Sequence, residues 1–325
     1  MTPLERAVRE RICSEGAISV EAYMDACNAY YYATRDPLGA TGDFVTAPEV
    51  NQMFGELVGA ALADCWKRAG GPTDAVYAEL GPGRGTLASD ALRVLRSSGF
   101  RGEVHFVETS PVLREAQRRC VPAAEWHDAI GDLPARPILL VGNEFLDALP
   151  IRQFVAGVER RVMIAAGGLA FDRDGEVIET SPARDEAVAA LAAHIARHGG
   201  AALLIDYGHE HGGPGDTLQA VSRHRFASVL ERPGEQDVTS HVDFQALATV
   251  ARGAGAAVTN VVTQGEWLQR LGIDSRAQAL SRANPDRLHD LNAAIDRLCG
   301  SDAMGKLFKV IAIHAAEWPQ PAGFA

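Results

Sequence analysis

The spacing of apolar residues changes period along the chain, and each change predicts an element. Residues 3–15 put Leu4, Ala7, Val8 and Ile12 on one face of a helix. A second helix begins in Ile18–Glu21, with Ser19 as N-cap. A third runs from about Glu49 to Ala69, carrying Met53, Leu57, Ala60, Ala61 and Cys65 at helical spacing, and Gly70-Gly71-Pro72 stops it. The Gly, Pro and Asp of residues 36–44 predict a loop between the last two.

From Asp74 onward, short apolar runs alternate with helical stretches. Strands are expected at Val76–Glu79, Glu103–Glu108, Ala123–Trp126, Pro137–Gly142, Ala201–Gly208, Ala256–Thr263 and Lys306–Ile313. The Pro137–Gly142 run is apolar throughout, as in a strand covered on both faces. Ser110-Pro111 opens a helix to Arg119, in the favoured order of cap then proline. Further helices are expected over 182–198, from Thr239–Phe244 to about Gly253, and through most of Gly265–Cys299. Residues 151–172 alternate with period two around Gly157 and Gly167-Gly168, which predicts a β-hairpin insertion. Asp216–Ser222 is a further candidate strand.

This alternation predicts an open, mostly parallel, Rossmann-like sheet. The expected organisation is a helical cap segment over 1–72 and a core over 73–263, with the hairpin at about 151–172. A second helical insertion follows over 264–303, and the last strand and tail over 304–325. The two helical segments are expected to pack together over the carboxyl ends of the strands, where such sheets bind ligands.

Composition narrows the chemistry. The chain has 325 residues, 47% of them hydrophobic, so a sizeable core is available. A formal net charge of −11 argues against a nucleic-acid partner and is compatible with an arginine-bearing polypeptide. The five cysteines are scattered without a C-x-x-C, so neither a disulfide framework nor a zinc site is expected. No metal is expected from the ten histidines. No apolar leader or membrane span is read, which leads to the expectation of a soluble, cytoplasmic protein.

The chemistry centres on Glu79-Leu80-Gly81-Pro82-Gly83-Arg84-Gly85-Thr86, where a strand ends in an acid, a glycine turn follows, and a helix begins. Gly81, Gly83 and Gly85 admit positive φ and a close ligand. Pro82 removes a donor from any phosphate cradle, and Glu79 repels a pyrophosphate. Both suit a cationic nucleoside, and S-adenosylmethionine is one. The third glycine also falls one residue early for the dinucleotide pattern, because position 86 is Thr. A structural glycine turn without ligand is the alternative. Glu108, ending the next strand, lies near the spacing at which an acid meets ribose hydroxyls.

Several blocks resemble one family: Gly42–Val50, Glu79–Leu87, Asn143–Pro150, Leu204–Gly208, Gly215–Ala220, His241–Phe244 and Met304–Lys309. The chain resembles the MidA-like class I methyltransferases, which include a mitochondrial complex I assembly factor that methylates arginine. The resemblance runs nearly end to end. It implies a seven-stranded methyltransferase sheet, S-adenosylmethionine as donor, and a protein arginine, such as one in a respiratory-complex subunit, as acceptor. Two departures bear on substrate choice: Asp25–Ala29 is shorter than the family's L-x-x-P-x-x-G-Y-Y run, and residues 157–164 lack a tryptophan.

Within that frame, Glu79 is the candidate for the α-ammonium group and the backbone at Gly81, Pro82, Gly83, Gly85 and Thr86 for close approach. Glu108, with Thr109, is the candidate for the ribose hydroxyls, and Asp128 for the adenine amino group, with an ordinary loop acid as the alternative. Asn143 and Thr46 complete the donor set, Thr46 with Pro48 and Glu49 closing over it. Glu144 and Asp147 are candidates for a carboxylate clamp on a guanidinium. The alternative puts Glu144 on the donor and Asp147 at a helix cap. His241 is a candidate proton acceptor, or else caps a helix together with Asp243. Asp206 and Tyr207 are placed at the acceptor pocket. A non-catalytic assembly chaperone, a small-molecule methyltransferase and a nicotinamide oxidoreductase are the competing functions, the last disfavoured by Pro82 and Glu79.

Overall fold

A computed structural model of the chain describes residues 1–34, 46–222 and 225–324. The loop expected over 36–44, and with it Gly42–Val45 of the first family block, lies outside the described residues.

The central sheet holds β1 (Val76–Leu80), β2 (Val104–Val107), β3 (Ala124–His127), β4 (Ile138–Asn143), β5 (Gly200–His209), β6 (Ala257–Val258, resumed at Val262–Thr263) and β7 (Phe308–His314). Their order is β6-β7-β5-β4-β1-β2-β3. Strands β1 to β5 run parallel, and β7 enters antiparallel between β5 and β6. Val242–Asp243 adds a short parallel pair at the end of β5. Every residue of β1 and β4 is buried, as a parallel sheet covered on both faces requires.

The order reverses between β1 and β4, where Glu79 sits beside Val141 and Leu80 beside Gly142. The loops leaving these two strands part there, which opens a crevice at their carboxyl ends. The class I methyltransferase fold expected for the chain is present.

Other elements differ from expectation in instructive ways. The helix expected from Glu49 is broken at Asn51, whose extended backbone (φ −165°) separates a turn at Ala47–Val50 from the helix Gln52–Arg68. The Asn51 side chain caps that helix by accepting from the Met53 N–H at 3.1 Å. The Gln52–Arg68 helix lies hard against Thr86–Ser97. A Cβ at Gly55 would stand 2.7 Å from Asp90 Cβ, and one at Gly59 2.5 Å from the Ala91 carbonyl. Only glycine allows this approach.

Residues Ile18–Ser19, expected to open a helix, form a strand edge paired with Arg161 and Val162, and the helix starts at Val20. Ser19 is still its cap, accepting from the Ala22 N–H at 3.1 Å. The expected hairpin is larger than 151–172. Its strands extend to Thr180 and divide between two three-stranded sheets.

The cap helices sort into two groups. Pro3–Glu15 and Val20–Thr34 pack with the inserted strands in a separate apolar cluster of Val8, Ile12, Tyr23, Met24, Ile151, Val162 and Val238. Gln52–Arg68 and the helices Gln264–Arg270, Ile273–Ala283 and Leu288–Cys299 share the main core with the sheet. Arg276 ties these last to Gln52–Arg68, reaching Glu56 at 2.7 and 2.8 Å. The pairing of Ile18–Ser19 with the insertion draws the first two helices to the other group.

Candidate active site

The crevice is a cavity of about 570 Å³. Its lining includes Thr46, Glu79, Gly81, Pro82, Gly83, Thr86, Glu108, Thr109, Asp128, Asn143, Glu144 and Asp147, so the fold brings these sequence candidates together. Pro48, Glu49 and Tyr207 join them.

One wall is the glycine turn. Gly81 and Gly83 take φ of +56° and +55°. The Gly81 N–H donates to the Val107 carbonyl at 3.0 Å, and Gln117 Nε2 donates to the Gly83 carbonyl at 2.8 Å. Gly85 is not in the lining. Its left-handed φ of +85° closes the turn, its N–H donating to the Pro82 carbonyl at 2.8 Å, and a Cβ there would stand 3.3 Å from Cys120 Cβ. It shapes the wall from behind.

The Glu79 carboxylate accepts the Tyr77 hydroxyl at 2.7 Å. Burial at the strand end pushes its pKa up to about 8, against the lowering effect of that hydrogen bond. Glu108 accepts the Ser110 N–H at 2.8 Å and Gln117 Nε2 at 3.1 Å. Burial raises its pKa as well. Ser110 caps the helix Pro111–Cys120, and its hydroxyl donates to the Tyr32 carbonyl at 2.7 Å, which fastens the first helical group to the mouth. Asp128 lies at the rim, largely exposed, with Arg114 Nη2 at 2.6 Å.

The opposite wall follows β4. Asn143 Nδ2 donates to Glu144 Oε1 at 3.0 Å, and the Ala47 N–H reaches the same oxygen at 3.2 Å. Glu144 holds a left-handed φ of +51°, uncommon for a residue with a side chain, and its N–H is pinned to the Ile205 carbonyl at 2.9 Å. Burial, with Asp147 nearby, pushes its pKa up to about 7. Burial also raises Asp147. Two buried oxygens, Asn143 Oδ1 and Asp147 Oδ1, lack a hydrogen-bond partner among the described residues. A buried acceptor left unpaired is costly, and a ligand carrying N–H groups relieves it.

Asp206 is not in the lining. It lies beneath this wall, accepting the N–H of Leu146 at 2.9 Å and of Asp147 at 3.1 Å. Arg184, buried, grips the same loop. Its guanidinium donates to the carbonyls of Leu146, Asp147, Ser240 and His241 and to the Ser240 hydroxyl. His241 also lies outside the lining, behind Tyr207, with ring centroids 5.7 Å apart. Asp243 is the residue that caps the following helix, accepting the Ala246 N–H at 3.1 Å.

Sequence reasoning missed Asn28, Tyr32, Phe145 and Asp237 in the lining. Tyr32 donates its hydroxyl to Asp237 Oδ1 at 2.9 Å, and Asn28 Nδ2 donates to the carbonyls of Ala148 and Val238, each at 2.8 Å. These contacts join segments far apart in sequence, and no local pattern announces them. Phe145, inside a quoted block, was within reach of such a reading.

Comparison with known proteins agrees with this geometry. A family model described as "putative S-adenosyl-L-methionine-dependent methyltransferase" matches residues 57–167 and 156–262. The chain is 33% identical over 359 residues to the mitochondrial protein arginine methyltransferase NDUFAF7 of Danio rerio, covering 93% of this chain and 85% of the relative. It is 34% identical over 382 residues to the Drosophila melanogaster homolog, covering 97% and 87%. A Burkholderia thailandensis crystal structure bound to S-adenosylhomocysteine superposes with a TM-score of 0.85 at 29% identity, covering 98% of this chain and 93% of that one.

The expectation of a cytoplasmic protein is corrected by these relatives, which are named as mitochondrial. It rested on the lack of a visible leader, which says nothing of compartment. Among the described residues, no helix is long and apolar enough to cross a membrane. The switch-point cavity, the buried acids around it and the matched family together lead to one conclusion: the chain belongs to the S-adenosyl-L-methionine-dependent methyltransferases.

Proposed function

We propose that this enzyme methylates an arginine side chain of a protein substrate. The observation that carries the reading is the buried Asp147 Oδ1, without a hydrogen-bond partner among the described residues, beside Glu144 on the β4 wall. A guanidinium offers a planar fork of N–H donors and stays protonated at any ordinary pH. It is the side chain that answers two buried carboxylates. The relatives named as protein arginine methyltransferases support the same acceptor. The resemblance in the sequence blocks extends the proposal to a respiratory-complex subunit as substrate.

S-adenosylmethionine, when bound, supplies a methyl group made electrophilic by its sulfonium. Glu79 attracts the α-ammonium group, Asn143 Oδ1 accepts one of its N–H groups, and Glu108 accepts the ribose hydroxyls. Gly81, Pro82, Gly83 and Thr86 leave room for the donor beside the turn, and Thr109 and Asp128 border the nucleoside end. Thr46, with Pro48 and Glu49, closes the site against water. Glu144 and Asp147 hold the guanidinium and aim one nitrogen along the line of the carbon–sulfur bond. The transfer would form a nitrogen–carbon bond and leave the electron pair of the broken carbon–sulfur bond on sulfur. The nitrogen then sheds one proton, and Glu144, with a pKa of about 7, is suited to take it.

The test is incubation of the purified enzyme with tritiated donor and lysate from a strain lacking it. A labelled band whose mass spectrum carries methylarginine is the expected result. Label on lysine, or only on small molecules, refutes the proposed acceptor.

A further inference from the structure

The sheet edge carries a second cluster that the methyl-transfer site does not use. Strand β3 is the outer strand, and its register with β2 sets His105 beside Glu125 and Val107 beside His127. The two-residue period of both strands puts His105, Glu125 and His127 on one face. Trp126 points to the other face, where its Nε1 donates to Gln117 of the helix Pro111–Cys120.

His105 Nδ1 lies 3.0 Å from His127 Nε2 and 3.8 Å from Glu125 Oε2. The three candidate ligand atoms all fall within 4.8 Å of one another. His105 is only 3% exposed, yet its Nε2 has no hydrogen-bond partner among the described residues. The nearby acid on that side is Glu103, with Oε2 at 3.7 Å, itself held by Arg136 Nη1 at 2.5 Å.

We propose that His105, His127 and Glu125 bind a zinc ion. With its proton on Nε2, facing Glu103, His105 presents the Nδ1 lone pair to the cluster. A metal-bound histidine commonly turns its second nitrogen toward a carboxylate in this way. Two nitrogens each about 2.0 Å from a tetrahedral zinc stand roughly 3.3 Å apart, close to the separation found here. Glu125, on the exposed side, supplies the third ligand, and water fills the fourth position. Two imidazoles and one carboxylate suit zinc better than calcium or magnesium, which favour all-oxygen shells. The ligands come from neighbouring strands, so no spacing motif reveals them. The ion staples β2 to β3 immediately before Glu108 and Asp128.

The experiment uses the full chain, stripped with chelator and titrated with zinc chloride against a chromophoric competitor. The expected result is one zinc per chain at sub-micromolar Kd, with X-ray absorption reporting two imidazole nitrogens. His105→Gln and His127→Gln should each weaken binding by at least about 10-fold while S-adenosylhomocysteine binding persists. Should His105→Gln fail to fold, the exposed Glu125→Gln and His127→Gln decide the matter, each with the same expected loss. Absent or only millimolar zinc binding overturns the proposal and leaves a plain histidine–histidine hydrogen bond. Unchanged affinity in these variants does so too, placing any zinc elsewhere.

Discussion

The Asp206 carboxylate accepts the backbone N–H of Asp147 at 3.1 Å, so one buried acid fixes the position of another. It accepts the N–H of Leu146 and of its own neighbour Tyr207 as well, each at 2.9 Å. Asp206→Asn turns an amide N–H₂ toward one set of these donors. The expected cost is about 1–3 kcal/mol for each stranded N–H. Denaturant unfolding should register that loss, and steady-state kinetics should show kcat falling while donor affinity changes little.

Glu144→Gln keeps the shape of the acceptor wall and removes its charge and its proton acceptor. Turnover is expected to fall by about 10²–10⁴-fold. Calorimetry with S-adenosylhomocysteine should give near-normal affinity. If donor binding collapses instead, Glu144 serves the donor wall.

Donor binding should depend on pH through Glu79. In the ligand-free site its pKa is raised to about 8, so the group is mostly protonated at neutral pH. A bound ammonium favours the carboxylate and lowers that pKa. Binding at pH 7 therefore releases a proton, and affinity rises with pH until about 8, where this contribution levels off. Calorimetry in buffers of different ionisation enthalpy measures the released proton. The Glu79→Gln variant should bind the donor at least ~10-fold more weakly and lose the pH dependence.

The same acids set the stability of the ligand-free enzyme. Glu79 and Glu144 have folded-state pKa values of about 8 and about 7. An unfolded glutamate titrates near about 4.3. Between these limits the folded chain binds more protons than the unfolded one, so stability falls as pH rises. Melting temperature should decline from pH 5 to 8, and S-adenosylmethionine should offset much of the decline.

Gly85→Ala places a Cβ at a φ of +85°, 3.3 Å from Cys120 Cβ. The left-handed conformation alone costs roughly 1–2 kcal/mol. The expected result is a stability loss of that order with weaker donor binding, although residue 85 is not in the cavity lining. Thermal melts and calorimetry on the same preparation separate the two effects.

The cavity wall around the glycine turn was legible because its residues are local in sequence. Glu79 and the glycines occupy one turn, Glu108 ends the next strand, and each strand reads as a short apolar run. The mouth was not, because Tyr32, Asp237 and Asn28 meet only once the chain has folded. The split of the cap was hidden for the same reason: Ile18 has helix-compatible neighbours, and only its pairing with Val162 makes it a strand. His241 belongs to a quoted block and sits near the site in sequence, yet the Tyr207 ring lies between reading it there and finding it in the cavity wall.

Tyr23, Met24 and Val162 sit in an apolar cluster apart from the one beneath the sheet. Mutations that reshape this smaller cluster alter the helix that brings Asn28 and Tyr32 to the cavity mouth and spare the strands that carry the turn at Gly81. The shape of the mouth is thereby free to drift while the wall at the glycine turn stays constant.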